Sequence, residues 1–143
     1  MSFLNLGLCT ELLSAIKEEG YTTPTPIQTK AIPVILSKKD VLAAAQTGTG
    51  KTAGFTLPLL ELLNKNYSKD KKSVVKALIL TPTRELATQV AQSVEVYGKY
   101  LPFKSYINRS WWFNNHLNSR LINKATFSSS LIFDEISSFH LIY

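Results

Sequence analysis

The sequence predicts an α/β fold in which a parallel sheet is flanked by helices. Short apolar runs of strand length alternate with longer stretches of helical periodicity, in the order strand, helix, strand, helix. A glycine-rich turn containing Gly48 and Gly50 separates the first strand from its helix, and Pro82-Thr83-Arg84 follows the second strand. Parallel strands joined through a helix put a ligand at the carboxyl ends of the strands. Both turns fall at such ends.

Each element has its own signals. Leu8, Leu12, Leu13 and Ile16 recur at helical spacing, with Thr10 as the expected cap and Gly20 as the stop. Thr25-Pro26 reads as a cap followed by proline at the first helical position, opening a helix with Ile27, Ala31, Val34 and Ile35 inside. Pro33 is expected as a late kink. Val41 to Ala45 is short and apolar enough for a strand buried on both faces. An apolar helix is expected from Lys51 to about Asn64, with Pro58 as an internal irregularity. Val74 to Leu80 reads as a second buried strand, and Arg84 to about Lys99 as an amphipathic helix.

The 143 residues suit one domain, and 45% apolar with 18% charged residues argues against wholesale disorder. No apolar run approaches the ~20 residues of a membrane helix. The start MSFLNLGLCT has no basic residue before its apolar stretch, which argues against a secretory signal. The single cysteine, Cys9, has no internal partner and reads as a small buried apolar residue. A soluble, cytoplasmic domain without membrane contact is expected. The net charge of +6 makes a polyanion a plausible partner. Lys65, Lys69, Lys71 and Lys72 read as a solvated loop, and His116 and His140 have no ligand constellation around them.

Composition changes near residue 101. All six glycines precede that point, whereas both tryptophans and nine of the fifteen aromatics follow it. Glycine supplies the positive φ angles that close turns and cap helices, so a long segment without it is unusual. Residues 1–104 and 105–143 are therefore read as separate regions, the second irregular.

Ala45, Gln46, Thr47, Gly48, Thr49, Gly50, Lys51 and Thr52 stand between a strand and a helix. Phosphate oxygens need many donors and little bulk, which glycine-rich backbone N–H groups and a helix N-terminus provide. Lys51 then reaches the β- and γ-phosphates, and the Thr52 hydroxyl suits the accompanying Mg²⁺. The general pattern has glycine at the place of Ala45. This is read as a nucleotide phosphate site.

Flanking residues admit two readings each. The Gln28 amide matches the N6 and N7 edge of adenine, or is a polar surface group at a helix start. Phe3 is a core residue, or a ring stacked on the base. Thr83 caps a helix, or joins Pro82 and Arg84 in a cradle for a nucleic-acid backbone.

In order, Phe3, then Gly20-Tyr21 with Pro24-Thr25-Pro26-Ile27-Gln28, then residues 45–52, then Pro82-Thr83-Arg84-Glu85-Leu86-Ala87 resemble the start of a DEAD-box ATP-dependent RNA helicase. They are similar to that family's Q motif, motif I and motif Ia, and the resemblance covers residues 1 to about 104. It implies an incomplete RecA-like P-loop domain in which Phe3 and Gln28 select adenine. Residues 45–52 would hold ATP and Mg²⁺, with Lys51 and Thr52 in the catalytic roles, and Pro82, Thr83 and Arg84 would touch RNA. Protein partners are not indicated.

The family's later motifs do not appear. Asp134-Glu135 continues as Ile136-Ser137 and reads as a solvated pair. Without an acidic motif to organise Mg²⁺ and water, little turnover is expected. The chain is read as a front fragment of the helicase, alternatively as a non-hydrolysing ATP- and RNA-backbone-binding module, or as a truncated product without selected function. Trp111-Trp112-Phe113 must be encoded TGG-TGG-TTY, which one nucleotide later reads Gly-Gly, as the family has at about that distance. The tail is thus expected to be a shifted reading frame, the alternatives being a divergent or an engineered segment.

Overall fold

A computed structural model of the chain describes residues 2–67, 77, 79, 81 and 83–102. After a 3-10 turn at Phe3–Leu6 come α1 (Thr10–Glu18), α2 (Pro26–Leu36), α3 (Lys51–Lys65) and α4 (Arg84–Tyr97).

The start of α1 differs from expectation. Cys9, not Thr10, holds the N-cap position and makes no side-chain cap bond. The Thr10 hydroxyl instead donates to Glu11. The Cys9 N–H donates at 2.7 Å to the carboxylate of Glu61, which is buried on α3. A carboxylate is a stronger acceptor than a hydroxyl and also suits the positive end of a helix. Gly20 terminates the segment as expected, at φ +78°, where the N–H groups of Gly20 and Tyr21 return to the Lys17 and Ile16 carbonyls.

Thr25 caps α2 with Pro26 in its first turn, and Gln28 completes a capping box. Its buried face is Gln28, Ala31, Ile32 and Ile35, a stripe at helical spacing. Val34, expected inside, is exposed, and Ile27 is half-buried. Both lie off that stripe. Pro33 stays within the last turn, where an exposed position tolerates the missing N–H.

Every residue of α3 from Ala53 to Leu62 is buried. One side joins Phe3, Leu6, Leu8, Leu12, Ile16, Ile32, Tyr97 and Leu101 through Ala53, Leu57 and Leu60. The other side, through Phe55, Leu59 and Leu62, packs with Ala31, Ile35 and Val90. Pro58 sits in its interior without ending it. Burial on all sides outweighs the roughly 3 kcal/mol an internal proline costs.

The expected parallel sheet is not seen among the described residues, which are mostly helical. Val41 to Ala45 has no assigned strand, because a strand exists only through a ladder to a neighbour. Its side chains nevertheless alternate, with Val41, Ala43 and Ala45 half-buried and Leu42 and Ala44 exposed. Val41 packs on the second core cluster, so one face is covered rather than the two expected. Of the expected strand Val74 to Leu80, only Ala77 and Ile79 are described, and both pack on that cluster. The region 105–143 lies outside the described residues. No described helix is long and apolar enough to cross a membrane.

Cys9 is half-buried rather than fully enclosed, with the Asn64 amide 3.7 Å from its sulfur. Burial, aided by the nearby Glu61 and Glu11 carboxylates, pushes its thiol up to about 11 from an ordinary 9.0. The thiol is therefore protonated at neutral pH, and iodoacetamide should label the folded chain far more slowly than the urea-unfolded one at pH 8.5. The folded-state rate should keep rising towards pH 11; equal rates at pH 8.5 would contradict it.

Glu61→Ala leaves the Cys9 N–H without its charged acceptor and should lower stability by about 2 kcal/mol in urea unfolding. Glu61→Gln keeps an acceptor oxygen and should lose less.

Candidate functional site

The glycine-rich turn ends at the N-terminus of α3, where Gly50 is the N-cap at φ +81°. Gly48 is also left-handed, at φ +80°. Between them the Thr49 hydroxyl closes the turn by donating to the Gln46 carbonyl at 2.7 Å. Two left-handed residues so close together favour glycine at both, since a Cβ there is strained. The first-turn N–H groups of α3 have no partner within the helix and end at this loop. Together with the helix dipole they form a site suited to an anion.

Lys51 supplies the charge. Its ammonium donates across the loop to the Ala45 carbonyl. Gln46, Thr47 and Gly48 are exposed, while Ala45, Thr49, Gly50, Lys51 and Thr52 are half-buried. The loop thus presents its tip to solvent and keeps its cation at the base.

Gln28 is not the surface group that one reading of the sequence allowed. It is 3% exposed, and both ends of its amide are used. The Oε1 accepts from the Thr25 N–H at 2.9 Å, and the Nε2 donates to the Gly50 carbonyl at 3.1 Å. That carbonyl also accepts the Gly54 N–H at 3.0 Å, so both its lone pairs are taken. Gln28 therefore ties the start of α2 to the start of α3. Its contact with Gly50 spans 22 residues, and nothing local in the sequence signals it. The capping box was signalled, since Thr25 and Gln28 stand three apart at a helix start.

Phe3 lies in the core at 4% exposure, packed with Leu6, Leu12 and Leu57. Thr83 is the cap of α4, its hydroxyl accepting the Leu86 N–H at 3.2 Å, and the Thr81 hydroxyl donates to the Thr83 carbonyl. Thr83 is exposed. Pro82 and the side chain of Arg84 lie outside the described residues. The structure brings Gln28, Gly50, Lys51 and Ala45 together. No group of three metal-ligating side chains occurs among the described residues. Two features escaped the sequence reading: Glu61 on the far end of α3, and a hydroxyl pair between Tyr21 and Tyr97.

Comparison with known proteins follows the same residues. The pattern of the DEAD/DEAH box helicase family matches residues 25–125. The DEAD-box ATP-dependent RNA helicase RhpA of Helicobacter pylori is 46% identical over 104 residues, covering 73% of this chain and 20% of RhpA. The ATP-dependent RNA helicase DHH1 of Pyricularia oryzae is 48% identical over 101 residues, covering 71% of this chain and 18% of DHH1. The chain thus spans about a fifth of the length of these curated relatives. Among solved structures, a DEAD box protein from Methanococcus jannaschii superimposes with a TM-score of 0.60 at 46% identity. That match covers 68% of this chain and 25% of the other. The RNA-helicase Prp28 from Chaetomium thermophilum, bound to ADP, gives a TM-score of 0.67 at 32% identity, covering 90% of this chain and 36% of Prp28.

The two left-handed glycines should respond differently to alanine. A Cβ on Gly48 meets nothing within 4 Å, whereas one on Gly50 would overlap the Gln28 Nε2. Urea unfolding should show a loss of about 1 kcal/mol for Gly48→Ala, from backbone strain alone. Gly50→Ala should lose at least about twice as much, because the Gln28 tie must also break. Equal losses would mean that the tie contributes nothing.

Proposed function

The chain belongs to the DEAD/DEAH box helicase family, and on that premise we propose that residues 1–104 bind ATP as part of an ATP-dependent RNA helicase. The observation that carries the reading is the loop at the start of α3, with Lys51 at its base and Gln28 bonded to Gly50. Backbone N–H groups and Lys51 suit the phosphates of a nucleotide. On binding, a γ-phosphate would compete with the Ala45 carbonyl for the Lys51 ammonium. Lys51 and Thr52 are the residues we assign to the reacting end of ATP. The Thr52 hydroxyl, at the second position of α3, is the group we assign to Mg²⁺, which would neutralise the phosphates.

Gln28 is the adenine reader in this proposal. Beyond its two bonds its amide retains one N–H and one lone pair, the pair that the N6 and N7 edge of adenine needs. Exposed Thr83 with Pro82 and Arg84 is assigned to the RNA backbone, where the positive end of the α4 dipole suits a phosphate. The fold of the intact domain is proposed to be RecA-like, with Val41 to Ala45 and Val74 to Leu80 as strands of its parallel sheet. A cytoplasmic location fits such a protein. Residues 105–143 are proposed to be read in a shifted frame, although the family pattern matches to residue 125. Sequencing of the coding DNA tests this; a frame that restores no further family motif would overturn it.

Titration with a fluorescent ATP analogue should show binding that unlabelled ATP displaces at much lower concentration than GTP does. Lys51→Ala should weaken it by roughly tenfold or more, as expected for loss of a charge-assisted contact. Gln28→Ala should erase the preference for ATP; an unchanged preference would remove Gln28 as the reader.

A further inference from the structure

The loop between α1 and α2 leads directly onto the wall of the phosphate loop. At its far end Thr25 sets its methyl carbon 3.5 Å from where a Gly50 Cβ would stand, and Gln28 bonds the Gly50 carbonyl. At its near end the loop is held to α1 by backbone bonds from Gly20 and Tyr21. Thr22 and Thr23 between these ends are exposed. Its lateral attachment is Tyr21, whose hydroxyl lies 3.2 Å from that of Tyr97. The rings stand 6.2 Å apart and tilted by 54°.

Tyr97 is the last residue of α4 and is 6% exposed, packed in the same core cluster as Phe3 and Leu57. Burial, with the Tyr21 hydroxyl beside it, holds the Tyr97 phenol well above its ordinary range, so Tyr97 keeps its proton at physiological pH. A helix moves as a stiff rod about 20 Å long over this number of residues. A shift at the Thr83 end of α4 would then reach Tyr97 and, through one hydroxyl pair, the α1–α2 loop whose far end at Thr25 abuts Gly50.

We propose that Tyr21 and Tyr97 are positioning residues that couple the placement of α4 to the geometry of the phosphate loop. The inference rests on the ATP-binding reading and adds to it a link between the two candidate sites. Neither tyrosine touches the nucleotide; both act through Thr25, Gln28 and Gly50. Such a link has to be measured as a coupling between residues, since adjacency alone does not establish one.

The test is a double-mutant cycle on the full 143-residue chain with Tyr21→Phe, Tyr97→Phe and the double variant. Phenylalanine keeps the ring packing and removes the hydroxyl alone. Apparent Kd for a fluorescent ATP analogue and the melting midpoint are recorded for each. Each single variant should weaken binding about threefold, part of the roughly tenfold that one net hydrogen bond can carry. The double variant should bind no more weakly than the weaker single, because both changes remove the same bond. A lowered melting midpoint with unchanged Kd would make the pair merely structural and overturn the proposal. Losses that multiply in the double variant would overturn it as well. The wild-type titration is read first: absence of nucleotide binding there overturns the ATP reading and this inference with it, whereas wild-type binding with unaltered variants overturns this inference alone.

Discussion

The Gln28 side chain bridges two helix starts that are otherwise separate problems. A helix N-terminus leaves N–H groups unpaired, and α2 and α3 both begin beside this one amide. Through Oε1 it completes the cap of α2; through Nε2 it fixes the carbonyl of Gly50, the last residue before α3. A buried amide is costly unless its groups are paired, so the geometry around it is tightly constrained. The left-handed Gly50, which has no Cβ to strike Gln28, follows from that constraint. So does the direction in which the N-terminus of α3 faces.

The opposite end of α3 is anchored by a different device. Glu61 is almost fully buried, accepts the Cys9 N–H and pairs with exposed Lys65 at 3.2 Å. The Lys65 pair contributes little in solvent. The bond to Cys9 holds the 3-10 turn and α1 against α3. The helix between Gln28 and Glu61 is buried from Ala53 to Leu62, so it cannot shift without moving both core clusters. The glycine-rich loop mounted on this helix has a fixed base and an exposed tip.

The exposed face at Leu42 and Ala44 belongs to the same account. Val41 already packs on the second core cluster, and the side chains alternate as they would in a sheet. Leu42 is 75% exposed, which is a large apolar group to leave in water. The chain spans about a quarter of the Methanococcus jannaschii protein it superimposes on.

What the sequence determined by itself was local. The stop at Gly20, the cap at Thr25 with Pro26 behind it, the start of α3 after Gly50 and the cap at Thr83 depend on residues a few positions apart. The glycine turn before Lys51 was legible for the same reason, because left-handed backbone at Gly48 and Gly50 is a local demand. Tertiary structure decided whatever needed a distant partner. Cys9 displaced Thr10 as the cap because the acceptor came from Glu61, fifty-two residues away. Gln28 was buried because Gly50 came to meet it, and Phe3 because α1, α2 and α3 enclosed it. Val41 to Ala45 kept the alternation of a strand without its ladder, since side-chain period is a property of the segment and hydrogen bonding a property of the pair.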